Sequence, residues 1–450
     1  MLLYFRFSFI FPDMTNQIAL GMMSGTSIDG AISVAIVDTD GEDQIKRLYE
    51  GEYRYEETGG VRPVHHLLKA AEVAFRKARG DYSQASAAYP GALQEYVAAT
   101  FRLSDKEAVA SKIRELSLAF WSGNSRTVEL ADVIQHSTKN HEEAAQFALK
   151  ESGISPQSVS FVGYHGQTLY HDPFINKVTV QVGDAQTLAN SLRIPVVFDF
   201  RTNDVKHGGQ GAPLAPVYHR ALVRRAGLSS AAILNLGGTA NVTVVGTRED
   251  SVMGFDTGPA NGLLDRYVKE RTGGAFDENS RLALSGMVNE RALAALVQRS
   301  IVLADGRNFL DIPPPKSLDI RDYTLDVPEL LSLSVEDGCA TLNAFTAECV
   351  ALGTRWIQQA GWEIPATWIL CGGGVRSPHM REQLRARLSR CITGALVFKS
   401  ADEVGWSSSG MEAELFAYLA VRSSKGLPIT FPGTTGAPQP LSGGRLFRPS

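Results

Sequence analysis

Short apolar runs alternate with Gly-rich loops along most of this chain, and one long stretch breaks the rhythm. The first clear strand is Ile18-Ala19-Leu20-Gly21. A small-polar loop from Met22 to Gly30 follows, then a second strand over Ala31–Val37, closed by a turn at Asp38-Thr39-Asp40-Gly41. From about Pro63 to Glu151 the pattern turns helical and rich in Ala, Glu, Lys and Leu. Strand texture returns at Val159, in VSFVGYHGQT, IPVVFDF, AAILNLGGTANVTVV and ATWILCGGGV, with helical stretches between. This alternation predicts an α/β architecture. No repeat at a fixed period is present, but Ile18–Val37 and Ala232–Val245 share a strand, Gly-loop, strand plan. Two related halves facing each other are expected.

Composition narrows the field. The 450 residues suit two or three domains, and 44% apolar with 20% charged residues supports sizeable cores. A disordered chain, a collagen-like repeat and a disulfide miniprotein are excluded. Lys and Arg number 44 against 48 Asp and Glu, so there is no basic field for nucleic acid. No run reaches the roughly 18 apolar residues of a membrane span. Cys339, Cys349, Cys371 and Cys391 come late and lack CxxC spacing, which points to a reduced, cytoplasmic setting. Residues 1–13 lack a basic start and a cleavage site, and Arg6 interrupts their apolar run. They read as an upstream start rather than a signal peptide, with Met14 as the working one.

Three loops are candidates for phosphate. Ser24, Gly25, Thr26, Ser27, Ile28, Asp29 and Gly30 offer backbone N–H groups and hydroxyls, without the lysine of a Walker loop. Asp29 is the nearest carboxylate for Mg²⁺, through water. Gly237 and Gly238 lie at the end of an apolar strand, and Gly372, Gly373 and Gly374 lie between a strand and a helix that begins near Pro378. Each loop alone reads equally well as a tight turn with no ligand. Cys371 reads as a buried small residue.

The polar clusters are more chemical. Asp256 sits at the mouth of a Gly/Pro turn, either as a base or as a cap for the helix starting near Asn261. Arg201 stands between Asp199 and Asp204, as an anion-binding fork or as part of a salt-bridge network at a hinge with Gly208, Gly209 and Gly211. His165 follows a strand, and Glu412 lies on a helix from about Ser409 to Ser423.

In order, GMMSGTSIDG, YHGQT, DFRTNDVKHGGQGAPL, NLGGTANVT, GFDTGPAN, CGGGV and MEAELFAYLA resemble the anhydro-N-acetylmuramic acid kinase family. The resemblance covers about Ile18–Val37 and most of Val159–Gly436; the helical stretch between looks longer than usual. It implies two ribonuclease-H-like domains flanking a nucleotide cleft, of the sugar kinase and actin type. The first domain would be 14–199 joined by about 434–450, the second 200–433, with 1–13 an extension. It implies ATP and Mg²⁺ as cofactors, an anhydro amino sugar as substrate, and a homodimer. Asp256 would be the catalytic base, and Ser24 to Gly30 the ATP loop. His165, Arg201, Asn261 and Glu412 would bind the sugar.

Three departures mark this chain. Ile32 stands where the family usually has a second Asp, and Ala260 stands for a glycine. Pro314-Pro315-Lys316-Ser317-Leu318 replaces a segment that usually continues with Thr-Gly. These leave open a related anhydrosugar such as levoglucosan, or a binding protein with a degenerate site.

Overall fold

The computed structural model describes residues 15–24, 30–55, 63–121, 123–248, 250–303, 305–318, 322–407 and 410–450. The chain forms two compact units. One is Met1–Lys206 with Glu412–Ile429 and Leu441–Ser450; the other is His207–Met411 with Thr430–Pro440.

The first unit is built on strands β1 (Gln17–Met23), β2 (Ala31–Thr39), β3 (Ile45–Arg54) and β4 (Phe161–Tyr164), a hairpin of β5 (Gln167–Asp172) and β6 (Val178–Val182), and β7 (Val196–Phe198). The main sheet runs β3-β2-β1-β4-β7, with Arg445–Phe447 closing the β7 edge. β1, β2 and β3 form an antiparallel meander, and β4 and β7 add in parallel. β2 is buried on both faces at most positions, as its unbroken apolar run requires.

Helices Pro63–Lys77, Tyr82–Thr100, Lys106–Phe120 and Leu130–Ser152 occupy the predicted helical stretch. Asp81 and Asp105 cap two of them, accepting from the N–H of Gln84 and Ala108. Gly153 ends the last in a left-handed conformation. These helices build a core of their own, where Leu67, Phe75, Tyr89 and Val133 pack with Leu169 and Val182 of the β5–β6 hairpin.

The second unit repeats the plan. Strands β8 (Ala231–Leu236), β9 (Thr239–Val245), β10 (Val252–Pro259), β11 (Thr367–Cys371) and β12 (Val397–Ser400) run in the order β10-β9-β8-β11-β12. β8 to β10 are antiparallel, and β11 and β12 are parallel additions. The buried helix Val335–Gln359 contributes to two cores, one with the sheet and one with helices Asn261–Thr272 and Glu290–Arg299. Among the described residues no helix is long and apolar enough to cross a membrane.

The two compact units divide the chain at other residues than the domains expected from sequence. The first unit extends to Lys206 and takes in Glu412–Ile429, whereas 430–440 belongs to the second. Glycines explain the transfer of the helix Met411–Ser424. A Cβ on Gly21 of β1 would lie 2.0 Å from the Ala413 carbonyl, and one on Gly163 of β4 would lie 2.0 Å from the Phe416 carbonyl. Backbone thus rests directly on backbone, an attachment with no signature in hydrophobic periodicity.

Candidate active site

In the first unit, the ends of β4 and β7 and the first turn of helix Met411–Ser424 bring together His165, Arg201 and Glu412. Arg201 Nε donates to His165 Nε2 at 3.0 Å. A guanidinium only donates, so Nε2 is the bare nitrogen, and His165 Nδ1 carries the proton that it gives to the Gly166 carbonyl at 2.8 Å. Burial and the Arg201 cation hold the imidazole well below its ordinary pKa. Burial also brings Arg201 down to about 10, against the carboxylates of Glu412 and Asp204. Glu412 is pushed up by burial and pulled back by Arg201. The result is a buried neutral imidazole beside a buried cation–carboxylate set. Asp199, at the end of β7, has φ +64, a left-handed conformation that Asp tolerates, and it turns the chain into Arg201.

Ser24 follows β1 and donates through Oγ to Gln167 Oε1 at 3.2 Å, so it belongs beside the HGQT segment. Gly30 has φ +89, and its carbonyl accepts from Tyr55. Gly25, Thr26, Ser27, Ile28 and Asp29 lie outside the described residues. Ile32 is a core residue, 1% exposed and packed with Leu20, Val34 and Val162. It is unavailable to metal or phosphate.

In the second unit, Asp256 sits at a β-bulge. It pairs with Asn241 while Gly258 pairs with Ala240, which leaves Thr257 as the extra residue. Such a bulge re-aims a side chain at a strand end. The Asp256 N–H donates to the Lys316 carbonyl at 3.0 Å, and Asp256 Oδ2 accepts from the Leu318 N–H at 2.8 Å. Burial raises this carboxyl to about 7, against the Leu318 bond and the Lys316 charge, which favour ionisation. It is therefore a proton acceptor matched to neutral pH.

The glycines gather at the turn of the β8–β9 hairpin, the end of the sheet at which Asp256 also lies. Gly372 has φ +81, and a Cβ there would lie 2.5 Å from Asn235 Oδ1 and 2.7 Å from the Leu236 carbonyl, so only glycine fits. A Cβ on Gly374 would meet Leu236 Cβ at 2.7 Å. Gly238 and Gly373 stay exposed, while the Gly238 carbonyl accepts from the N–H groups of Ala260 and Gly262. Asn261 belongs to this cluster: its N–H donates to the Gly237 carbonyl, and its Nδ2 donates to the Leu236 carbonyl at 3.1 Å. Its amide thus braces the glycine loops. Ala260 is buried, with its N–H on the Gly238 carbonyl. The helix Pro378–Leu388 is a weaker anion site than its position suggested. Ser377 caps it, accepting from the Met380 N–H, and Pro378 has no N–H to give.

Sequence reasoning did not place Tyr323 or Lys316 beside Asp256, although it marked the segment 314–318 as a departure from the family. Tyr323 joins its hydroxyl to Thr239 on the hairpin and is pushed up by burial. Lys316 is 5% exposed. Cys371 is buried, as expected. Among the described residues no group of three or more His, Cys, Asp or Glu side chains could hold a metal.

Two units of one strand order, glycine loops on a hairpin, and a buried carboxyl held near neutrality define a sugar kinase with the actin-type α/β fold. The chain belongs to the anhydro-N-acetylmuramic acid kinase family. That family's model matches residues 99–449. An anhydro-N-acetylmuramic acid kinase of Caulobacter vibrioides is 40% identical over 431 residues, 95% of this chain and 98% of the relative. One from Methylobacterium nodulans is 38% identical over 435 residues, 96% of this chain and all of the relative. The solved ROK hexokinase of Thermus thermophilus covers 90% of this chain at 16% identity and a TM-score of 0.34, a likeness too weak to bear on activity. The helical stretch is not an addition to the family. The Caulobacter match leaves 19 of the 450 residues here outside it (450 − 431), far fewer than four helices need.

Proposed function

We propose that this kinase opens 1,6-anhydro-N-acetylmuramic acid with water and phosphorylates O6 from ATP, giving N-acetylmuramic acid 6-phosphate. The observation that carries the reading is Asp256, a bulge-presented carboxyl at about 7. Asp256 takes a proton from the water that attacks C1. The C1–O6 bond breaks, and O6 attacks the γ-phosphorus as ADP leaves. The proton on Asp256 then returns to solvent. One base thereby serves both steps, because the oxygen freed by ring opening is the phosphoryl acceptor.

The loops of the second unit suit a nucleotide, since Gly372 admits no Cβ and Gly238 and Gly373 are exposed. Mg²⁺ accompanies the phosphates and neutralises their charge; Asp29 would reach it through water. Arg201, oriented by His165, presents a fork suited to the lactyl carboxylate of the sugar, and Glu412 accepts from its hydroxyls. The four cysteines are unpaired, in keeping with a reduced cytoplasm. The working form on this reading is a homodimer, and sedimentation velocity should then read twice 48.7 kDa.

The test is ADP release with Mg-ATP, with and without 1,6-anhydro-N-acetylmuramic acid, beside levoglucosan and N-acetylglucosamine. Stimulation by the muramic sugar alone, with oxygen-18 from water appearing at C1, is expected. Stimulation by none of the three overturns the reading.

A further inference from the structure

Lys316 is a buried cation without an obvious purpose. Its Nζ donates to the carbonyls of Phe309 at 3.0 Å and Leu310 at 3.4 Å. It stands 4.3 Å from the Phe309 ring centroid and 5.7 Å from that of Trp356. Among the described residues no carboxylate lies within ion-pair distance of it. Burying an unpaired ammonium is costly, and the fold gains little packing from a lysine that a methionine would not supply. The cost is spent next to Asp256. The same short segment meets Asp256 twice, through the Lys316 carbonyl and the Leu318 N–H.

We propose that Lys316 is a positioning residue for Asp256: its ammonium, pinned by the carbonyls of Phe309 and Leu310, fixes the segment that grips the carboxyl and supplies the positive field that lets it ionise. This role rests on the reading of Asp256 as the base. The other groups around the pair do not supply that field. Tyr323 is pushed up by burial and stays neutral. So does Cys349, on the helix beside Gly258. Arg355 is engaged by Asp311 at 2.9 Å. Lys316 itself is brought down to about 8 by burial and by Arg355, so its charge is present where Asp256 titrates.

Lys316→Gln keeps a donor for the two carbonyls and removes the charge; Lys316→Arg keeps the charge. In the full-length protein, ¹³C-labelled aspartate resonances report the Asp256 midpoint directly, assigned by the signal lost in Asp256→Asn. Lys316→Gln should raise that midpoint by about one pH unit or more. The acid limb of kcat should follow it, with KM for ATP unchanged and Lys316→Arg close to the parent. A folded Lys316→Gln protein with the parent's midpoint overturns the proposal. If the midpoint moves and the kcat limb does not, Lys316 acts as described and Asp256 is not the base. Should Lys316→Gln not fold, Lys316→Arg carries the test, since its cation persists above pH 8. Its Asp256 midpoint must lie at or below the parent's, and a higher one overturns the proposal.

Discussion

The two units share one sheet plan and differ in what they place at its strand ends. In the first, β4, β7 and a helix resting on bare glycine backbone assemble a buried charged set: neutral His165, cationic Arg201 and Glu412. In the second, the β8–β9 hairpin offers glycine backbone, and the β10 bulge offers one carboxyl near neutrality. On the proposed reading, a common scaffold separates two chemical tasks. Fixed charges recognise, and they gain from rigid burial. A base must change its proton in each cycle, and it needs a pKa near working pH.

The sharpest way to break this division is Asp256→Asn. Turnover should fall about a thousandfold or more while nucleotide still binds, measured by ADP release and calorimetry. Activity at the parent's level would remove Asp256 from the chemistry. The same substitution should make the second unit more stable at pH 8. Folding raises this carboxyl from 3.8 to about 7, so its ionised form opposes folding as pH rises through that window.

Next in size is Gly163→Val. The new Cβ would lie 2.0 Å from the Phe416 carbonyl, so the helix carrying Glu412 must move off β4. Hydrogen exchange should show the first unit opening while the β8–β10 amides keep their protection. Equal loss in both units would mean that the two do not fold as separate cores.

These cases also show what the sequence could and could not convey. The first hairpin, the helical stretch and the later strand–Gly-loop segments were legible because apolar periodicity and Gly/Pro turns are local signals, while Asp256 was singled out as a base only through the family resemblance. The placement of Glu412–Ile429 was not, because it depends on two glycines whose missing side chains matter only once β1 and β4 stand side by side. Asn261, expected on the sugar, also braces the glycine loops, a contact visible only when Leu236 and Gly237 come within bonding distance. Lys316 was singled out only within a segment that departs from the family pattern, and its place beside Asp256 depends on a contact 60 residues apart in sequence that no local pattern conveys.

Arg201→Lys tests recognition in the first unit. It keeps the charge and loses the fork that grips His165 and would face the substrate carboxylate. One charge-assisted bond is worth about 1.5–3 kcal/mol, so KM for the sugar should rise roughly 10- to 100-fold with kcat little changed. A change confined to KM for ATP would assign the cluster to the nucleotide instead.

The pH response separates the units further. A base at about 7 predicts that kcat falls about tenfold per unit below that point. A flat profile from pH 5 to pH 8 would contradict it.

Acid stability gives the smallest effect and the most direct contrast. In the first unit His66, His136, His141 and His165 are all lowered by burial. In the second, His219 and His379 are. Each holds a proton less firmly when folded than when unfolded, so its contribution is intact above the unfolded value near 6.5 and is lost as pH falls below it. Raised carboxyls act in the opposite sense, because they hold their proton more firmly when folded. The first unit has Glu412, and the second has Asp256 and Asp265. Acid therefore weakens the first unit more, although neither its sheet nor its core is smaller in kind. Between pH 7 and pH 5, exchange protection should fall first in β1, β2 and β4 and later in β8 to β10. The reverse order would show that the buried carboxyls, and not the histidines, govern how this kinase fails in acid.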